Sequence, residues 1–360
     1  MFSKFKKISY LPLLLLTPFS LLAEEVQQGE KADQMLPGYN APARLDLQSD
    51  RPQVYFTGSF TYWQASQDNM ELGFVSDSSD PDYAMKGSFV NMDFDYKPGF
   101  QVGAGVSFLP DNWDLYAEYT WFRGTNHKKK DLQVGNFLET LFPTWQAASF
   151  TAPQYYEGSE SWTLHMDLAD LRLGRDFFVG KCLTFHPFIG LRAPFIRQQV
   201  AVTYSELTTA PSVDTYLDQM SHSWGVGPSL GTSLDWLLGK GFKLYGKGDV
   251  DVVYTEYTTL SFKQKSVESG EIIDYTGLSY LQKNLNTVRS HIDLALGFEW
   301  GTYIAKKGAH ISLAADYGFQ VFFNQNMFRT FIDSLTLAKS TSSNGNLYIQ
   351  GLTATLRADF

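Results

Sequence analysis

Residues 351–360 read GLTATLRADF, with Leu352, Ala354, Leu356, Ala358 and Phe360 alternating against Thr353, Thr355, Arg357 and Asp359. A period of two sustained over ten residues marks a strand with one apolar and one polar face. Terminal residues are usually polar and frayed. A terminal strand ending on a bare aromatic is therefore expected to be held by a partner strand.

The same rhythm returns along the chain. QVYFTGSFTYW (53–63) carries Val54, Phe56, Phe60 and Tyr62 on one face, and PGFQVGAGVSF (98–108) carries Phe100, Val102, Ala104, Val106 and Phe108. WDLYAEYTWF (113–122) sets Leu115, Ala117, Tyr119 and Trp121 against Tyr116, Glu118 and Thr120. LTFHPFIGLRAPF (183–195), WGVGPSLGTSLDW (224–236), VRSHIDLALGFEW (288–300) and ISLAADYGFQVFF (311–323) repeat it. Ten strands are predicted near 52–65, 89–109, 113–124, 160–179, 183–205, 222–238, 241–262, 287–303, 309–325 and 345–360.

Alternation alone also suits a soluble sandwich, so the connections decide. Short polar turns at 110–112, 180–182, 239–241 and 305–308 alternate with long polar stretches at 66–88, 125–160, 206–221, 263–286 and 326–344. Outer-membrane barrels have this asymmetry, with short periplasmic turns and long external loops. The expected fold is an all-β, transmembrane, antiparallel up-and-down β-barrel of ten strands. Twelve is the alternative, if 66–88 or 125–160 holds another hairpin. An even number brings both ends to the periplasmic side, and closure satisfies every backbone polar group in lipid. Tyr62, Trp63, Trp113, Trp121, Trp162, Trp224, Trp236 and Trp300 fall at predicted strand ends, where amphipathic rings favour the membrane–water interface. Phe360 closing an alternating strand looks like the signal read by the outer-membrane barrel assembly machinery.

The other end agrees. MFSKFKKISYLPLLLLTPFSLLA (1–23) has a basic start (Lys4, Lys6, Lys7), an apolar run from Ile8 to Leu22 and the small Ala23, the pattern of a secretory signal peptide. Residues 24–50 have no period and few large apolar side chains, which predicts a flexible periplasmic segment, with a lumen plug as the other reading. The barrel is then 51–360, in the bacterial outer membrane. No other apolar stretch approaches 18 residues, so no transmembrane helix is expected. Net charge of −9 argues against a nucleic-acid partner, and Cys182, the single cysteine, cannot form an internal disulfide. In 125–160, the apolar stretch after Asp131 is expected as a short helix on the rim or in the mouth. Lys128–Lys130 is expected as a solvated loop tip.

WDLYAEYTWFRG (113–124), DLRLGRDFFVGKCLTFHPFIGLR (170–192), WLLGKGFKLYGKGD (236–249), GFQVFFNQNMF (318–328) and GLTATLRADF resemble the MOMP-like major outer membrane proteins of Legionella and chlamydia-like bacteria. The resemblance spans roughly 90–360. It implies an abundant outer-membrane protein, porin-like, with a possible share in adhesion. Classical chlamydial members are cysteine-rich; with Cys182 alone, a disulfide-linked coat is not expected here. The family has no catalytic residues to carry over.

If the apolar face meets lipid, its partner face lines the lumen. That assigns Glu118, Arg172, His186, Arg192, Lys243, Lys247, Asp249, Asp251, His291, Asp293, Glu299, Asp316 and Arg357 to the interior. Mixed signs favour paired charges filling a narrow barrel over a wide pore, since interiors near eight strands can be filled by side chains. The leading functional expectation is passive passage of small hydrophilic solutes together with an envelope role. The alternative is a surface adhesin or a structural barrel with a filled lumen. A third reading is an omptin-like protease, with Asp93 and Asp95 facing His291 and Asp293 to activate water. The six histidines never reach metal-ligand spacing, and no cofactor is expected. Expected partners are outer-membrane lipid, lipopolysaccharide, the assembly machinery and the solutes; the oligomeric state is left open.

Overall fold

Along most of the period-2 segments the backbone is extended and paired. The computed structural model describes Leu45, Leu47 and residues 52–77, 86–108, 111–132, 139–147, 155–206, 213–268, 271–272, 277–304, 308–331, 340–342 and 344–360. The predicted signal peptide and most of 24–50 lie outside the described residues.

Ten strands form the wall: β1 (Gln53–Gln67), β2 (Tyr96–Phe108), β3 (Trp113–Asp131), β4 (Tyr155–Arg175), β5 (Leu183–Glu206), β6 (Val213–Gly239), β7 (Phe242–Glu268), β8 (Leu285–Ile304), β9 (Ala309–Phe322) and β10 (Leu347–Asp359). Each pairs antiparallel with the next. β10 returns to β1, from Tyr55↔Asp359 to Gln67↔Leu347. Past that register, the Phe360 N–H donates to the Val54 carbonyl at 2.9 Å, and the Val54 N–H donates back at 3.2 Å. The closed circuit has no unpaired edge. The hairpin that would have made twelve strands exists, as Glu71–Asp77 paired with Lys86–Asn91. It joins Glu139–Pro143 instead of the wall, and β1 pairs directly with β2.

The short turns share one end of the barrel and the long connections the other. At 239–241, Gly239, Lys240 and Gly241 have φ of 110°, 53° and 84°. A Cβ on Gly241 would lie 2.2 Å from the Gly301 carbonyl oxygen, so glycine is required there.

On the turn-end half, apolar side chains point outward. Phe60, Ile189, Leu230, Val252, Leu294, Leu296, Phe298 and Leu356 are all more than half exposed. Aromatic rings bound this belt, with Trp113, Trp236 and Trp300 below and Tyr62, Trp121, Trp224 and Tyr254 above. At ~3.3 Å per residue, Trp224 to Trp236 covers about 40 Å of strand, or about 28 Å of height at a ~45° tilt. That matches the ~25 Å apolar band of an outer-membrane barrel.

On the loop-end half the alternation inverts. β4 turns Trp162, Leu164, Met166 and Leu168 inward, all buried, and turns Ser161, Thr163, His165 and Asp167 outward. β5 buries Ile196, Val200, Val202 and Tyr204 while Arg197, Gln199, Ala201 and Thr203 face out. This half stands above the lipid, so its outer surface is wet and its inner surface is a conventional apolar core.

That inversion corrects several expectations. Trp63 and Trp162 are not interfacial: they are 3% and 0% exposed and point inward. The strands run further toward the loop end than expected, β3 to Asp131, β6 from Val213 and β7 to Glu268. Lys128–Lys130 therefore lies within β3, with Lys128 paired to Asp93 at 2.7 Å and Lys129 to Glu157 at 2.8 Å. Among the described residues of 125–160 there is no helix; Glu139–Pro143 is a strand. Of the segment 24–50 only Leu45 and Leu47 are described; Leu47 is buried and Leu45 lines the interior.

Candidate functional site

The interior of the belt half holds a layer of buried charge centred on Arg192, which is 2% exposed. β5 brings it to the middle of the wall, where β4 and β7 present carboxylates at the same height. Its Nε donates to Asp170 Oδ1 at 2.6 Å, and its Nη1 donates to Asp251 Oδ2 at 2.7 Å and Asp249 Oδ1 at 3.3 Å. His291 Nδ1, on β8, lies 2.6 Å from both Arg192 Nη1 and Asp251 Oδ2, and its ring rests 4.1 Å from that of Phe322. Arg172 Nη2 lies 3.7 Å from each of Glu118, Asp170 and Asp249, with its guanidinium over the Phe188 ring. A charge taken out of water is tolerated only with such partners.

Asp249, Asp251 and His291 could offer three ligand atoms within 4.8 Å of one another. The Arg192 guanidinium already stands among them, within hydrogen-bonding distance of each. A fixed side-chain cation thus fills the position a metal ion would take.

Toward the turn end the charges spread around a cavity of about 370 Å³. Lys243 pairs with Glu299 at 2.9 Å, Arg357 with Asp359 at 2.7 Å, and His310 with Asp359 at 3.3 Å. Tyr116 donates to Glu118 at 2.8 Å, Tyr55 to Asp114 at 2.9 Å and Tyr245 to Asp316 at 2.7 Å. His186 sits between Asp176 and Asp114, at 2.7 and 3.4 Å. Seven carboxylates line the cavity (Asp114, Glu118, Asp176, Asp235, Asp293, Glu299, Asp316) against four permanent cations (Arg172, Lys243, Lys247, Arg357). The lining reaches Gln53, Ser107 and Asn112 at the turn end and stops near Trp63 and Ile349.

Above that level the lumen is filled. Leu72, Leu141, Trp145 and Phe328 come in from the loop-end connections and are at most 2% exposed. They pack on Trp63, Phe122, Trp162, Leu164, Tyr204, Phe262 and Leu347 of the wall. Polar bonds clamp them there. The Ala147 N–H donates to Gln264 Oε1 at 2.8 Å, and Gln219 both accepts from the Arg329 N–H and donates to its carbonyl at 2.9 Å. Glu160 is caught in this layer 2% exposed, and among the described residues neither carboxylate oxygen has a hydrogen-bond partner.

The structure brings the side chains assigned to the lumen together. Arg172, Arg192, Asp249, Asp251, His291 and Glu118 form the central layer, with Lys243, Lys247, Asp293, Glu299, Asp316 and Arg357 around the cavity. The four residues of the protease reading do not meet. Asp93 and Asp95 precede β2 on the rim, with side chains 71% and 70% exposed and bound to Lys128 and Lys97, whereas His291 and Asp293 are buried within the wall. The expected inward register failed because the wall strand starts only at Tyr96. Sequence reasoning passed over Asp170, Asp235 and Asp359. Asp170 shares strand parity with Arg172 and Asp359 with Arg357, the signal that would have found those two, whereas β6 carries no assigned inward residue to point to Asp235.

Residues 49–360 match the family described as the Legionella pneumophila major outer membrane protein precursor. The chain belongs to this family. It is a multi-pass β-barrel of the bacterial outer membrane, with its short turns at the periplasmic end. No curated protein matches it. Among solved structures, the Escherichia coli outer membrane protease OmpT is similar with 7% identity and a TM-score of 0.38, over 88% of this chain and 99% of that one. The Pseudomonas putida toluene transporter TodX gives 9% and 0.28 over 86% and 90%, and the attachment invasion locus protein Ail of Yersinia pestis 8% and 0.22 over 85% and 99%. Likeness at this level says nothing about activity.

Proposed function

We propose that this major outer membrane protein is an envelope barrel with a narrow, normally shut passage for small hydrophilic solutes, cations preferred. The observation that carries this reading is the pairing of an acidic cavity, reaching the periplasmic end, with an apolar stopper across the outer half. Selection in such pores follows lumen charge and constriction, and seven carboxylates against four cations favour cations. The stopper consists of loop segments held by side-chain packing and a few hydrogen bonds, so it can leave without breaking the closed wall. No hydrolytic role is proposed, because the carboxylates and the His–Asp pair offered for it are apart. Phe360, outward and 58% exposed beside β1, is proposed as the residue read by the assembly machinery.

Planar-bilayer recording tests the channel. The native protein is expected to give rare, small conductance steps with potassium favoured over chloride. The double variant Trp145→Ala, Phe328→Ala is expected to open several times more often. If both proteins are folded and neither conducts, the passage reading fails and the purely structural or adhesive role takes its place.

A further inference from the structure

One sector of the outer wall carries a row of basic side chains that neither the lumen nor the stopper uses. Cross-strand register aligns Arg123 of β3 with His165 of β4, His165 with Arg197 of β5, and Arg197 with His222 of β6. All four alternate with inward residues and so face outward; His165 and Arg197 are exposed, Arg123 and His222 partly so. Two residues lower on the same strands, Trp121, Asp167, Phe195 and Trp224 are also in register and form the upper edge of the lipid belt. The row thus stands immediately above the acyl chains of the outer leaflet. With strands ~4.8 Å apart it spans about 15 Å, the scale of a phosphorylated sugar head group.

The charges of the row are not all spent. Arg123 is engaged, forking onto Asp167 at 2.8 and 2.9 Å. Among the described residues Arg197 has no ion-pair partner, and neither imidazole has a bonded acceptor. Besides Asp167, this sector presents Glu256 on β7, in register with Trp224 one level below, and Asp218 on β6, which accepts from Gln199 Nε2 at 2.6 Å above Arg197. Across the barrel the equivalent positions above the belt are neutral, with Gln64 of β1 beside Gln350 of β10. The basic row stands on one sector at the height of lipid head groups, and of its four members Arg123 is held in place, over the Trp121 ring and on Asp167.

We propose that the Arg123–His165–Arg197–His222 row binds the phosphate groups of lipopolysaccharide, the acylated, phosphorylated glycolipid of the outer leaflet. Arg197 supplies the free charge. His165 and His222 donate imidazole N–H groups to phosphate oxygens on either side, and Trp121 and Trp224 rest on the sugar–acyl boundary below. The site is independent of whether the barrel conducts.

The test measures binding of purified lipopolysaccharide to the refolded full-length barrel in neutral detergent, for the native protein and for Arg197→Gln, His165→Gln, His222→Gln combined. A cation near a membrane surface contributes roughly fivefold in binding, so the triple variant is expected to bind at least about fivefold more weakly. The native protein should bind the dephosphorylated glycolipid as weakly as the variant binds the intact one. A control that removes charge at the periplasmic turns, Lys181→Gln with Lys240→Gln, should bind like the native protein. Equal binding by the triple variant and the native protein, equal loss in the control, or full displacement of the glycolipid by millimolar inorganic phosphate would each overturn the assignment. The heat-dependent gel shift of the folded barrel reports that each variant is folded, and Arg197→Gln alone, on an exposed side chain, repeats the test at minimal risk to folding.

Discussion

The two halves of this barrel are built from the same strands with opposite instructions. In the belt half, Leu171 and Leu173 of β4 face out and Asp170 and Arg172 face in; higher on the same strand, Trp162 and Leu164 face in while Thr163 and His165 face out. Nothing in the backbone changes between them. What changes is the solvent against the wall, lipid below and water above. Polar groups below must therefore be satisfied by one another inside, whereas above, apolar groups are driven inside by water. A β-strand accepts either arrangement, because its side chains alternate regardless of which face is greasy.

The largest expected effect lies in the charged layer. Arg192→Ala leaves Asp170, Asp249 and Asp251 facing one another without their common cation, and removing one partner of a buried ion pair costs about 3–5 kcal/mol. Urea unfolding in lipid vesicles should show that loss. Little change would mean that water hydrates the layer.

The comparison is sharpened by making one substitution in both halves. Leu164→Ala empties part of a packed interior and should cost about 2–5 kcal/mol. Leu294→Ala, outward in the belt, exchanges contacts with acyl chains and should cost about 1 kcal/mol or less. The same unfolding assay reads both, and equal costs would contradict the placement of lipid against Leu294.

A smaller effect of opposite sign is expected at Glu160. A buried polar group without a partner costs about 1–3 kcal/mol, so Glu160→Leu should raise stability by that order. It should also make the stopper open less often in bilayer recordings. Destabilisation would show that the carboxylate has a partner within the stopper.

Much of the architecture was legible in the sequence because the belt half obeys a simple local rule. Ten alternating segments and the strict exchange of short and long connections placed every wall strand, and parity alone placed Glu118, Arg172, Arg192 and Asp293 inside. The same rule misled above the belt. Trp63 and Trp162 stand at predicted strand ends, where the belt's polarity makes an aromatic interfacial, and the outer ends of β3, β6 and β7 look like loops because their exposed faces are polar. Asp93 and Asp95 alternate in NMDFDY like strand residues, yet the wall starts one residue later, and no local pattern marks that boundary.

Taken alone, the chain's pattern determined that a closed barrel forms and which side chains of its lipid-facing half turn inward, because alternation and turn length are local properties. Tertiary structure decided that Arg192 collects carboxylates from β4 beside it and from β7 two strands away, and that segments remote in sequence, carrying Leu72, Leu141, Trp145 and Phe328, meet across the mouth. It also decided that four basic residues from four strands stand in one row. Each of these depends on which strands become neighbours and at what register, and that emerges only when the cylinder closes.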